Sequence, residues 1–260
     1  MDAVRRLCGD AGEHEIILVD DGSVPPVDPA VAEGALLVRT PGLGLAGARN
    51  VGLREARGEI VCFTDDDCEP DAGWLDAAIA HLAAHPEHSG VQGPVESQPW
   101  DPLRAHSLAY AEPIPGRYYG ANIAYRRELL AREGGFSEQL NPYHGEDLDL
   151  AFRMLEHGPI GWAPDMRVRH TPRPLTFRQL VARGRFARHE VYLHERYAEH
   201  FGRARRLPHV LFPFVNVLWS WTGVLRAEWP GILGRPGRLT RLVGLIVGQS
   251  VYTALALMRP

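Results

Sequence analysis

Lysine is absent from the 260 residues, and all 28 basic side chains are arginine. The bias reads as the coding preference of a GC-rich genome and carries no chemistry of its own. Cysteine is scarce, with only Cys8, Cys62 and Cys68. An odd count without paired metal-ligand spacing argues against a disulfide framework and suits a reducing cytosol. The first ten residues, Met1–Asp10, hold no apolar run of signal-peptide length, so the chain is not read as secreted. Internal repeats and low-complexity tracts are also missing. Hydrophobic residues make up 45% and charged residues 23%, which excludes disorder over most of the length. One large domain, or a domain with a tail, fits the chain length.

The net charge of −4 conceals an asymmetry. Residues 1–171 carry 14 Arg against 28 acidic side chains, residues 172–206 carry 9 against 3, and residues 207–260 carry 5 against 1. An acidic body followed by a basic, increasingly apolar end suggests a catalytic part and a membrane-facing part.

Short apolar runs alternate with amphipathic stretches through the acidic body. Glu15–Val19 and Ala35–Arg39 read as strands, and Glu59–Thr64, rich in β-branched and aromatic residues, reads as a buried strand. Ala46–Arg57 has helical spacing and stops at Gly58; Gly73–His85 and Glu146–Glu156 are also helical by pattern. Met166–His170 ends a late strand. Strands alternating with helices imply an α/β layered sheet that is mostly parallel, flanked by helices.

Ligands of such sheets bind at the carboxyl ends of strands. Two strands end in acidic clusters: Asp20–Asp21 after the first, and Asp65–Asp66–Asp67 after Glu59–Thr64. Carboxylates gathered at one edge repel unless they share a cation, and hard oxygen ligands suit Mg²⁺ or Mn²⁺. A solvated acidic turn before the helix at Gly73 is the competing explanation.

The neighbouring segments arrive in a telling order. Val19-Asp20-Asp21-Gly22-Ser23 and Gly47-Ala48-Arg49-Asn50-Val51-Gly52 precede the acidic triplet. Gly120-Ala121-Asn122, Gly134-Gly135-Phe136 and His144-Gly145-Glu146-Asp147-Leu148-Asp149 follow it. From about Glu15 to His170 the chain closely resembles the family-2 glycosyltransferases of the GT-A fold, a nucleotide-binding α/β architecture. The resemblance implies a nucleotide-sugar donor, a saccharide or lipid-linked acceptor, and no nucleic-acid partner. It makes Asp20 and Asp21 the nucleotide-binding acids, with Arg49 supporting the nucleotide across the same cleft. Asp65 and Asp67 match the ends of the D-x-D motif, with Asp66 between them on the donor side and Asp67 the direct metal ligand. Gly120 and Asn122 match the loop lining the sugar and acceptor cleft. Glu146–Asp147 match the E-D pair, whose aspartate is the usual catalytic base.

Helix polarity independently supports the last role. A carboxylate at the first turn of Glu146–Glu156 stays ionised more readily, by roughly 0.3–1 kcal/mol, and an ionised Asp147 can accept a hydroxyl proton. Glu146 is the next candidate, and a purely structural cap is the third reading. Leu148, Phe152 and Leu155 are expected on the buried side of that helix. Asp149 is expected to pair with Arg153 at i,i+4. His170 is either an extra metal or diphosphate ligand or a structural histidine. The implied mechanism is a single displacement with inversion at the anomeric carbon.

The chain departs from the family pattern at two places. The family's opening strand and P-x-Y-N-like turn have no counterpart before Val19, where only Met1–Gly12 stands. The Q-x-x-R-W motif of processive synthases is replaced by Gln179-Leu180-Val181-Ala182-Arg183-Gly184, which favours transfer of a single sugar. The short N-terminus admits a second function class, a catalytically inactive nucleotide- or sugar-binding relative. A nucleotidyltransferase is the third class; it lacks a glycine-rich phosphate loop and leaves Glu146–Asp147 unexplained.

Residues 1–205 therefore read as the transferase domain and 206–260 as a membrane-associated helical tail. Thr176–His200 is helical by pattern and basic, able to lie on an anionic surface. Leu207–Leu225 and Leu242–Met258 carry no formal charge over 19 and 17 residues, near the lower limit of about 17–25 for a span. Pro208, Pro213 and Asn216 interrupt the first, and Arg226, Arg235, Arg238 and Arg241 lie between the two. The positive-inside tendency then favours an interfacial or re-entrant pair at the cytoplasmic face over a two-span hairpin. An apolar dimer interface is the soluble alternative.

Overall fold

The computed structural model describes residues 14–97, 115–140, 145–171, 176–182, 186–206 and 208–215, with scattered positions beyond. Met1–Gly12 with Cys8, His144 and parts of both apolar segments after Arg206 lie outside the described residues. The chain divides into two compact units, one of Met1–Gln98 with Ala111–Thr171, the other of Pro99–Tyr110 with Pro172–Pro260. That division falls at Thr171, ahead of the boundary at 205/206 drawn from hydropathy.

In the first unit, strand β1 (Ile17–Asp21) pairs in parallel with β2 (Leu36–Thr40). Both acids of the Val19-Asp20-Asp21 motif belong to the strand rather than to the turn after it. Helix α1 (Leu45–Glu55) follows and packs on β1, with Gly52 close to Val19 and Ile17. Strand β3 (Ile60–Phe63) leads to the short β4 (Cys68–Pro70) and helix α2 (Trp74–Ala84). Then come β5 (Gly90–Gln92), β6 (Val95–Ser97), β7 (Ile123–Arg126) and helix α3 (Arg127–Arg132). Helix α4 (Glu146–Leu155) and strands β8 (Ile160–Trp162) and β9 (Val168–His170) close the unit.

The hydrogen-bonded orders among the described residues are β1-β2, β3-β7-β5-β8 and β4-β9-β6. Three of the six pairings are parallel and three antiparallel, so the sheet is more evenly mixed than helix–strand alternation implies. Two of the antiparallel pairings come from β7, which runs against both its neighbours, β3 and β5, and the third joins β4 to β9.

Strand β7 is buried on both faces, as a central strand must be. Ala124 points into a cluster with Trp74, Ala78, Leu82, Val91 and Met166. Ile123 and Tyr125 point the opposite way, toward Phe63, Leu130, Phe136, Leu150 and Met154. The period-2 geometry of a strand produces this division. Each fully buried aliphatic contributes roughly 1.5–3 kcal/mol.

Helix α4 buries Phe152, as its apolar spacing suggests, but not the rest of the expected face. Leu150 and Met154 are fully buried with Ala151 and Phe152, whereas Leu148 and Leu155 are only half-buried. The phase is set by Glu146 and Asp149, which turn inward because arginines meet them there. Arg153 pairs with Asp149 at 3.1 Å, as the spacing predicts, and also donates to the Glu133 and Gly135 carbonyls.

In the second unit, helices α5 (Phe177–Ala182) and α6 (Ala187–Arg196) fall within the stretch expected to be helical, and residues 183–185 between them lie outside the described residues. A 3₁₀ segment, Ala198–Arg206, follows with a kink at Gly202. His194 is fully buried, stacked on Phe212 at 4.3 Å and 2.9 Å from the His209 ring nitrogen.

Candidate active site

Strand β3 ends at Phe63, and the chain turns through Asp65–Asp67 before pairing again as β4. The turn closes with a bond from the Cys68 N–H to the Asp65 carbonyl, 3.1 Å. Strand β4 then pairs antiparallel with β9, setting Cys68 opposite His170. This three-residue ladder is what carries His170 across about a hundred positions of sequence to Asp67. Its Nε2 lies 3.4 Å from Asp67 Oδ2, and the Thr171 N–H donates to the Asp67 carbonyl at 2.7 Å. The imidazole is almost wholly buried, and its Nδ1 has no hydrogen-bond partner among the described residues.

Cys68 borders the same group. Burial and the neighbouring carboxylates of Asp65 and Asp67 push its thiol up to about 12. It therefore stays protonated and packs as a small apolar side chain. Asp66 is exposed, and Asp65 turns away from His170 toward Arg49.

Arg49 joins the two acidic motifs. It leaves α1 almost fully buried, with one guanidinium nitrogen 2.8 Å from Asp65 and another 2.8 Å from Glu146. The guanidinium carbon sits 5.3 Å from the Phe136 ring centroid. Burial works against its charge, but Asp65 and Glu146 outweigh that and hold its pKa above the ordinary value. Gly120 covers it from the other side. A Cβ there would lie 2.7–2.8 Å from the guanidinium atoms, so only glycine lets the loop approach this closely.

Gly120 also donates its N–H to Asp147 Oδ2 at 3.0 Å, and Leu148 donates to Oδ1 at 2.8 Å. Each oxygen of Asp147 retains a further lone pair. Gly145, with φ 104°, turns the chain into α4 so that both Glu146 and Asp147 fall in its first turn.

Glu146 is 4% exposed. Burial, and then the charge of Asp147, push its carboxyl up to about 7 against the pull of Arg49; the ordinary value is 4.5. Because the folded value exceeds the unfolded one, this group's contribution to stability is full below pH 4.5 and is lost as pH rises through about 7. The loss is on the order of 3 kcal/mol. Urea unfolding at pH 5 and pH 8 should show Glu146→Gln gaining on wild type at the higher pH. An equal difference at both pH values would contradict this.

The remaining predicted residues serve the scaffold first. Asp20 accepts from the Ser23 and Val27 amides at 2.9 and 3.1 Å and from Arg39 at 2.7 Å. Hydrogen bonds from Ser23 and Val27, with the Arg39 charge, pull its carboxyl down to about 2. Asp21 accepts from the Thr40 hydroxyl and from the Leu43 and Gly44 amides at 2.7 and 2.8 Å. Both acids thereby fix the loops around the end of β1, and Asp21 sets the entry to α1.

Asn122 lies in the core rather than on a cleft wall, at 1% exposure. Its oxygen accepts from the Trp74 indole at 2.8 Å, and its amide donates to the Pro94 and Met166 carbonyls at 3.0 and 2.7 Å. Every group is satisfied within the protein. The motif signal there reports a tie between α2, β7 and the chain before β9.

No sequence motif marks Arg39, Thr40 or Tyr118. Tyr118, in the loop before Gly120, holds φ 51° and donates its N–H to the Gln92 side-chain oxygen at 3.1 Å. A bulky residue with positive φ is uncommon, and no local sequence signal announces it.

Residues 1–137 match the model of glycosyl transferase family 2. The chain belongs to that family. Among its relatives is the pre-mycofactocin glycosyltransferase of Mycobacterium tuberculosis, 31% identical over 209 residues, covering 70% of this chain and 43% of the relative. The hyaluronan synthase of Pasteurella multocida is 25% identical, over 55% of this chain and 20% of that protein. The chain thus spans less than half the length of these relatives. In structure it is similar to the Pyrobaculum calidifontis mannosyltransferase PcManGT in complex with GDP-Man and Mn²⁺, with a TM-score of 0.59 and 21% identity over 97% of this chain and 83% of that one. S. aureus TarS 1-349 in complex with UDP-GlcNAc gives 0.54 at 18% identity, over 81% of this chain and 70% of that one. The fold is that of the GT-A glycosyltransferases.

Proposed function

We propose that this chain transfers a single sugar from a nucleoside-diphosphate sugar to a saccharide or lipid-linked acceptor, with inversion. The observation that carries the reading is the Arg49 bridge, which brings Asp65 of one acidic motif and Glu146 of the other onto one guanidinium. Donor-side and base-side carboxylates then share one edge of the first unit. Family membership and the nucleotide-sugars named with its structural neighbours support the same chemistry.

The residues present fit a divalent cation. Asp67 and His170 offer an oxygen and a nitrogen 3.4 Å apart, a separation suited to two ligands of one ion, and His170 is held there by backbone pairing. A nitrogen donor suits Mn²⁺ better than Mg²⁺, which prefers all-oxygen surroundings. When bound, the cation neutralises charge on the departing diphosphate, an effect of several kcal/mol. The chain's own contribution is positional. Asp147, fixed by two amides, accepts the acceptor's hydroxyl proton. The freed oxygen bonds to the anomeric carbon opposite the diphosphate, whose C–O bond breaks. Gly120 and Arg49 keep Asp147 and Glu146 in register.

Nucleoside-diphosphate binding should depend on metal through Asp67. Calorimetry on wild type and Asp67→Ala, with Mn²⁺ and with chelator, is expected to show tight binding in only one of the four cases. Equal affinity in all four would remove the metal from the reading.

The tail reading extends this to a site of action at the cytoplasmic face of a membrane. No helix among the described residues is long and apolar enough to cross one. Val243, Val247 and Val251 are helical, each about half exposed and spaced four apart, which supports an apolar face lying on a surface. Deleting residues 207–260 should move the protein from the membrane fraction to the supernatant in moderate salt. A full-length chain that is soluble without detergent would favour the dimer interface instead.

A further inference from the structure

We propose that His85, Glu87 and His88 form a second metal site, for a borderline divalent ion such as Zn²⁺. The three residues lie where α2 ends and the chain turns toward β5. His85 Nδ1 is 3.2 Å from Glu87 Oε1, and His88 Nε2 is 3.4 Å from the same oxygen. Their ligand atoms all fall within 4.8 Å of one another. Tetrahedral coordination with bonds of about 2.0–2.1 Å separates neighbouring ligands by roughly 3.3–3.4 Å, which is close to the spacing here. The His85 and His88 rings are stacked, 11° from parallel at 4.6 Å. Sharing an ion asks each ring to turn about its Cβ–Cγ bond, a soft torsion for histidine.

Three observations support a built site. First, His88 already has an orienting partner: its Nδ1 is 3.0 Å from His81 Nε2. His81 Nε2 is placed to accept the Nδ1–H of His88, which leaves His88 Nε2 for the metal, the arrangement that fixes metal-binding histidines elsewhere. Secondly, the turn's backbone is fastened. Arg126 donates to the His88 carbonyl at 2.9 Å and to those of Leu82 and His85 at 2.8 and 3.1 Å. Thirdly, the space under the imidazoles is closed by Gly161 of β8, where a Cβ would lie 1.9 Å from His81 Nε2 and 2.7 Å from His88 Nδ1.

The site stands at the opposite end of α2 from the acidic edge, about 15 Å along the helix from Trp74 at 1.5 Å per residue. A helix C-terminus favours a cation. Two imidazoles and one carboxylate select Zn²⁺ over Mg²⁺, with a fourth position left to water. The ion would clamp the end of α2 to the turn leading into β5, a stabilising role independent of sugar transfer.

Equilibrium dialysis and thermal melts of the full chain with Zn²⁺ alone test this, with Co²⁺ as the absorbing probe of nitrogen coordination. Wild type should bind one ion here in addition to any held at Asp67 and His170, and melt about 5–10 °C higher at a hundredfold excess over Kd. His85→Gln and His88→Gln should each weaken binding by roughly a hundredfold, and His81→Gln by about tenfold. Asp67→Asn should retain the ion, which separates this site from the acidic edge. Folded His85→Gln and His88→Gln proteins that bind Zn²⁺ like wild type would overturn the proposal, as would loss of all Zn²⁺ from Asp67→Asn. Should the histidine variants not fold, Glu87→Gln at an exposed position decides: weakened binding supports the site, and unchanged affinity overturns it.

Discussion

Arg49→Leu is expected to cost the fold about 3–5 kcal/mol at pH 8, the loss typical when one partner of a buried ion pair is removed. The guanidinium is enclosed by Phe136 and Gly120 and compensates Asp65 and Glu146 at 2.8 Å each. Without it the two carboxylates fare differently. Asp65 has 29% of its side chain exposed and can recover water, whereas Glu146 has 5% and cannot. The loss should therefore shrink toward pH 5, where Glu146 takes up a proton and no longer needs a counter-ion. Arg49→Lys should fall between, because one ammonium lacks the planar fork that meets two carboxylates at once. Denaturant unfolding across this pH range reads both effects. A variant within about 1 kcal/mol of wild type at pH 8 would show that the bridge contributes no net stability.

Asp147→Asn is expected to lower turnover by about 10²–10⁴-fold, the usual effect of losing a general base, with donor affinity nearly unchanged. Asparagine keeps the side chain's size and one carbonyl oxygen to accept from Gly120 or Leu148, so the loop and the first turn of α4 remain in place. What disappears is the proton acceptor. Donor affinity should be spared because Asp147 contacts neither Asp67 nor His170 in the proposed division of roles. A turnover assay run beside a donor titration separates the cases. Wild-type turnover would move the base to Glu146, whose raised carboxyl pKa would then become a functional property. Lost donor binding together with a melted helix would leave Asp147 as a structural cap.

Local chemistry explains which parts of this architecture were legible in the sequence. Strands such as Ile60–Phe63 announce themselves by β-branched and aromatic density, although only Phe63 of that strand is buried, and α1 and α2 by apolar spacing between breakers. Strand direction is different, because it depends on the path by which the chain returns. The antiparallel placement of β7 therefore has no local signal, and neither does the three-residue β4; β9 is legible as a late strand ending at His170, but nothing local announces the pairing with β4 that brings His170 to Asp67.

The candidate site divides along the same line. Acidic clusters and the E-D pair stand out as residue types, but their partners do not. Arg39 under Asp20, Thr40 beside Asp21 and Trp74 on Asn122 are long-range contacts formed by folding. Asn122 is the instructive case: a position in a recognisable motif turns out to spend all its hydrogen bonds on the core. In α4 the apolar pattern misjudged the buried face because Arg49 and Arg153 make it possible to bury Glu146 and Asp149.

The central claim is that this acidic edge performs sugar transfer. It is tested most directly by incubating the full chain with a panel of nucleoside-diphosphate sugars and Mn²⁺, and measuring nucleoside diphosphate released with and without candidate saccharide acceptors. Release should occur with one donor class, rise when an acceptor is supplied, and vanish with chelator or in Asp67→Ala. No release from any donor, or release indifferent to both chelator and Asp67, would contradict it.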